Sequence, residues 1–135
     1  MANEAVVVEL GLRPALSFTV ANGTGISKGA ILKITDPRTA AASSAAGDAF
    51  AGIASADKEA SDGTVKLGVW TQGIFDLQCN GAGFVAGELV IISGANLIRP
   101  IRSPADISAG AVIGKALETA VAGTAETVLV AVGYY

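Results

Sequence analysis

The segment NGTGISKGAIL begins at Asn22, and NGAGFVAGELV begins at Asn80. Both read Asn-Gly-x-Gly-apolar-x-x-Gly-x-apolar-apolar, 58 positions apart in a chain of 135 residues. A pattern repeated on this scale limits the possible folds sharply, because each copy must form the same turn and bury the same apolar run. The segments after the blocks repeat as well. After the first come FAGIASA, from Phe50, and DGTVKLGV, from Asp62; after the second come VIGKALE, from Val112, and AETVLVAV, from Ala125. Each half therefore runs glycine-rich turn, apolar strand, variable stretch, Gly-x-Ala, and a Thr-Val strand. The pseudo-repeats span about 16–73 and 74–135.

Short Val- and Ile-rich runs bounded by Gly, Asn, Asp and Ser are a strand signature. The clearest are AVVVEL from Ala5, LSFTV from Leu16, AILKIT from Ala30, TVKLGVWT from Thr64, ELVIIS from Glu88 and ETVLVAVGYY from Glu126. The fold class expected is all-β: a small β-barrel or sandwich with an internal pseudo-two-fold duplication, residues 14–135 forming one domain. Residues 1–13 lie outside the duplication and read as a β-prone N-terminal arm. Such an arm is able to pair with the sheet edge of another chain, or to be an ordinary edge strand of its own fold. DPRTAAASSAAGDA, from Asp36, reads as an exposed loop or one short helix.

The glycines do not read as a phosphate cradle. A dinucleotide fingerprint needs Gly-x-Gly-x-x-Gly between a strand and a helix, so that helix N-terminal amides meet the phosphates. Here Gly23, Gly25 and Gly29 have a longer second gap and lead into a strand, and Gly81, Gly83 and Gly87 do the same. Asn22-Gly23 and Asn80-Gly81 permit positive φ at turns, which makes these eight residues structural.

Other chemistries lack their residues. There is no histidine to serve a nucleophilic serine, and the single Cys79 has neither a histidine partner nor a second cysteine. Cys79 reads as a small buried apolar residue. Asp57, Glu59 and Asp62 are the only local acidic cluster; Lys58 interrupts it, and a solvated turn explains it better than a metal site. Nucleic-acid binding requires clustered cations, whereas Arg38, Lys58, Lys66, Arg99, Arg102 and Lys115 are scattered and the net charge is −3. The first residues, MANEAVVVELGLRPAL, lack a basic leader and are broken by Glu9, Gly11 and Arg13, so neither a signal peptide nor a membrane span is expected. Expected, then, are no enzyme activity, no cofactor, no metal, no nucleic acid, no membrane and no small-molecule substrate. With 51% apolar and only 16% charged residues, mostly Ala and Val among the apolar, part of the exterior is expected to be covered by a partner. Trp70, Tyr134 and Tyr135 are large aromatics whose roles, core or contact, the sequence leaves open.

The order GISKGAILKITDPRTAAAS, FAGIASADKEASDGTVKLGVWTQGIFDL, AGELVI, IGKALETA and ETVLVAV resembles a family of tailed-phage capsid decoration proteins, from about Leu16 to the C-terminus. The resemblance implies a structural protein of the virion that binds the outer surface of the assembled capsid. Its partner would be the major capsid protein, whose subunits it would bridge as a homotrimer. It would be made in the host cytoplasm and end on the capsid exterior. No catalytic residues carry over. The expected contact region is the arm: Ala2, Asn3, Glu4, Ala5, Val6, Val7, Val8, Glu9, Leu10, Gly11 and Leu12. Alternatives are another virion β-module, at the tail or fibre base, and a biotinyl- or lipoyl-like carrier barrel presenting Lys115.

Overall fold

The computed structural model describes residues 3–10, 14–101, 103–108, 110–123 and 126–133. Its strands are β1 (Val6–Glu9), β2 (Leu16–Thr19), β3 (Ile31–Asp36), β4 (Thr39–Ala42), β5 (Phe50–Ala54), β6 (Lys66–Trp70), β7 (Gly73–Gln78), β8 (Leu89–Gly94), β9 (Leu97–Pro100), β10 (Val112–Ala116) and β11 (Thr127–Val132); the short helix α1 (Pro104–Ser108) lies between β9 and β10. The fold is all-β apart from that one turn of helix.

β2, β4, β3, β5 and β6 form a closed barrel, and a second sheet runs β1-β7-β11-β10-β8-β9. The duplication is visible strand for strand. Leu32, Lys33, Ile34 and Asp36 pair with Ala42, Ala41, Ala40 and Thr39; 58 residues on, Val90, Ile91, Ile92 and Gly94 pair with Pro100, Arg99, Ile98 and Leu97. Even the register shift falls at the same place, between Ile34 and Asp36 and between Ile92 and Gly94. β2 and β4 meet in parallel at Thr19 and Thr39, and a parallel bridge joins Cys79 to Ile98 in the second copy.

The recurrent Gly-x-Ala has a steric cause. Gly52 of β5 and Gly114 of β10 sit where the strand presses on its neighbour. A Cβ on Gly52 would run into Val69 and the Trp70 carbonyl, and one on Gly114 into the Ala131 carbonyl. Each glycine also marks a register shift against β3 or β8. Ala54 and Ala116, two positions on, are both buried.

The first barrel is filled by Phe18, Val20, Ile26, Leu32, Leu67 and Val69 with small alanines between them. A larger core gathers Phe75, Leu77, Val90, Ile92, Ile98 and Ile113, and includes Ile31 and Ile53 from the outer face of the first barrel. Each fully buried Ile contributes about 2 kcal/mol, so the two halves are joined by packing as well as by the chain.

Two expectations change. The Ala/Ser run after Asp36 is neither a simple loop nor a helix: Thr39–Ala42 is β4, held by pairing with β3. Ala is a poor strand former in isolation, and here the paired neighbour decides its conformation. Lys115 is not at a hairpin tip, the position a carrier lysine needs; it lies within β10, opposite Leu89 on one side and Ala131 on the other.

Candidate interaction surface

β1 is the terminal strand of the second sheet. Val6, Val7 and Glu9 pair antiparallel with Asp76, Phe75 and Ile74 of β7, and among the described residues no strand pairs with its other edge. Just before it, Ala5 is buried, and its N–H donates to the Gly29 carbonyl at 2.7 Å. Gly29 has φ 88°, and a Cβ there would lie 2.5 Å from the Ala5 carbonyl oxygen. The last glycine of the first block is therefore what lets the N-terminal segment approach.

Strand alternation then divides β1. Val7 and Leu10 pack against the larger core, while Val6 and Val8 stand 57% and 47% exposed. Asn3 and Glu9 are exposed and Glu4 is half-buried. Of the arm residues expected to make contact, Val6 to Glu9 thus lie along one sheet edge, flanked by Asn3, Glu4, the buried Ala5 and Leu10; Ala2, Gly11 and Leu12 lie outside the described residues. Arg102, Tyr134 and Tyr135 lie outside them too. Trp70 is half-buried at the junction of the halves, its ring centroid 5.8 Å from that of Phe75 and 5.8 Å from the Lys28 ammonium.

The first glycine block holds a cation. Lys58, only 4% exposed, enters from the following segment, and its Nζ donates to the carbonyls of Asn22 (2.8 Å), Thr24 (2.9 Å) and Glu59 (3.2 Å), with Asp62 3.9 Å away. Carbonyl oxygens converging on an ammonium would repel a phosphate, so the loop is a lysine clamp. The acidic cluster is likewise absorbed by turns. Asp57 accepts the Lys28 N–H, and Asp62 accepts those of Thr64 and Glu59. The Thr64 N–H is the main reason the Asp62 carboxyl titrates below its ordinary range; the coulombic pull of Lys58 adds to it. In the second block Ala120 occupies the place of Lys58: it pairs with Phe84 as Lys58 pairs with Ile26. There Asn80 caps its own turn, accepting the Ala82 N–H at 3.0 Å. Sequence reading missed the clamp, taking Lys58 only as an interruption of the acidic run. No local motif marks it, since two of its three acceptors are main-chain oxygens 34 and 36 positions away and the third is the carbonyl of the next residue.

Cys79 is buried in the larger core. No helix of the described residues is long and apolar enough to cross a membrane. Comparison with known families finds a model described as phage cement protein that matches residues 13–132. A comparison with curated proteins finds no match.

Proposed function

The chain belongs to the phage cement protein family, which makes it a structural component of a phage virion, and on that premise we propose that it binds the outer surface of the assembled capsid. It bridges neighbouring copies of the major capsid protein there as a homotrimer. The observation that carries this reading is the extent of the family match, from residue 13 to residue 132. Membership of a structural family also points to a non-enzymatic role.

In this reading residues 14–135 act as one domain containing both pseudo-repeats, and residues 1–13 are the contacting arm. The physics of β1 supports that role. An edge strand with a free row of N–H and C=O groups can accept a strand from another chain, and exposed side chains at alternate positions add apolar contact. Val6 and Val8 supply the apolar contact. A single small interface of this kind is weak, but three copies engaging together hold far more tightly than one. Protein confined to the outside of a DNA-filled shell also has no need of a basic surface, in keeping with its net charge of −3.

The test is co-sedimentation with purified phage heads that lack the protein, followed by cryo-electron microscopy. Wild type is expected to bind and to appear as protrusions at three-fold positions. The Val6→Lys/Val8→Lys variant keeps the half-buried Val7 and Leu10 anchors, so it is expected to fold and to lose binding. Protein located in the tail, or heads left bare by folded wild type, would overturn the proposal.

A further inference from the structure

The contact between the two repeats runs one way. Asn96, at the β8–β9 turn of the second repeat, reaches into the first and accepts the buried Ile31 N–H. Gly94 accepts the Ser43 hydroxyl and bridges to Ala45, and the Ile92 carbonyl accepts the Gly47 N–H. The tip of the second repeat is thus seated on the receiving face of the first.

The same positions in the other repeat are uncovered. On the tip side, Ile92 and Phe75 are fully buried, whereas their counterparts Ile34 and Leu16 are 45% and 43% exposed. Arg38, the counterpart of Asn96, shares its left-handed backbone (φ 52° against 56°) but is exposed, and folds back on its own barrel to donate to the Ser17 carbonyl. On the receiving side, Ile31 and Ile53 are fully buried; their counterparts Leu89 and Lys115 are half-buried and exposed. A groove of about 280 Å³ lies there, lined by Leu89, Ile107, Gly110 and Val112. Leu89 and Val112 occupy the places that Ile31 and Phe50 hold in the filled junction.

A contact between unlike faces leaves one unused face of each kind, and repeating it between molecules gives rings when the rotation closes. We propose that the β3–β4 tip of one molecule, carrying Ile34, Asp36 and Arg38, seats on the Leu89–Val112 face of a second copy of this chain. The intermolecular joint then repeats the junction within the chain. Asp36 stands where the filled junction has Gly94 and Lys115 where it has Ile53, while Arg38 is held on its own barrel by the Ser17 carbonyl, so the tip offers a carboxylate and the receiving face an ammonium in place of uncharged residues. The inference rests on the self-association proposed above and adds which surfaces meet. In a trimer it makes a head-to-tail ring of six repeats.

Two single-cysteine variants test it, Pro37→Cys on the tip and Ser103→Cys beside the receiving face, joined by a short bis-maleimide; Cys79 is buried and the wild type serves as control. A second receiving variant, Ile107→Cys, covers a failure of Ser103→Cys to fold. The expected result is a covalent dimer in the mixture of tip and receiving variants and none in either alone, both in solution at high concentration and on heads. Homotypic tip–tip or receiving–receiving dimers would overturn the head-to-tail joint while leaving self-association intact. A monomeric mass with no cross-link, in solution and on heads, would overturn both.

Discussion

Asn96 and Ile31 are 65 positions apart, yet the Asn96 side-chain oxygen lies 2.9 Å from the Ile31 nitrogen in a buried site. The bond joins the two halves at the start of β3 and satisfies a buried N–H, a group that costs free energy when left unpaired. Asn is suited to the position twice over: it tolerates the φ of 56° and carries the acceptor.

Replacing Asn96 separates those two roles. Asn96→Gly keeps the backbone relaxed but orphans the buried donor, at a cost of about 1–3 kcal/mol. Asn96→Ala adds the left-handed penalty, about 1 kcal/mol more. Urea unfolding of the three proteins is expected to rank wild type, Gly, Ala; equal stability of all three would deny the bond any weight.

Lys58→Met removes the ammonium and leaves the Asn22, Thr24 and Glu59 carbonyls around an apolar side chain. Hydrogen bonds to a charged group are worth about 1.5–3 kcal/mol, so a loss of that order is expected. The second block gives a control. Ala86→Ser, exposed in that block where no such clamp forms, is expected to change stability by no more than about 0.5 kcal/mol, the usual range for surface substitutions away from a specific interaction.

The glycines of the first block differ in what they do. Gly23 has open space where a Cβ would go, so Gly23→Ala is expected to be tolerated. Gly29→Ala sets a methyl group against the Ala5 carbonyl and is expected to release the N-terminal segment. Hydrogen exchange at Ala5 and along β1 reads this out: faster exchange in Gly29→Ala alone is the expected pattern, and unchanged protection would contradict the contact.

Acid should weaken the protein through two carboxylates. Burial on its own pushes the Asp48 carboxyl up, but the N–H groups of Ser44 and Ala45, at 2.8 and 2.9 Å, and the Lys33 ammonium at 3.7 Å outweigh it and hold it below its ordinary value. Asp62 is lowered too, chiefly by the Thr64 N–H. A carboxyl whose folded-state pKa lies below the unfolded one stabilises fully above the unfolded value and loses that contribution as pH falls through the folded one. The melting temperature is therefore expected to drop in the acid range, and Asp48→Asn to flatten part of that drop. An identical acid profile in the variant would remove Asp48 from the account.

The glycine blocks and the Gly-x-Ala pairs were legible in the sequence because sterics acts on single positions: Gly52 and Gly114 must be Gly, and they recur. Strands rich in Val and Ile were legible as well. β4 was not, since Thr39–Ala42 is a strand only because Leu32–Asp36 lies beside it. Nor was the asymmetry between the halves, in which Lys58 answers to Ala120 and Asn96 to Arg38. Such differences carry no periodicity; they acquire meaning only when pairing puts residues far apart in the chain within bonding distance. The exposure of Val6 and Val8 depended in the same way on learning that Val7 faces the larger core.

The strand order also has a consequence in time. All five strands of the first barrel lie between Leu16 and Trp70, so that barrel is complete in sequence before β7 leaves the ribosome. β1 is synthesised earlier still, yet its partner β7 does not end until Gln78. Through that interval the N-terminal segment carries an unpaired apolar strand beside a barrel already able to close, and transiently unpaired strand edges favour misassembly. The segment proposed to grip the capsid is thereby the one that waits longest, while the chain is being made, for a partner of its own.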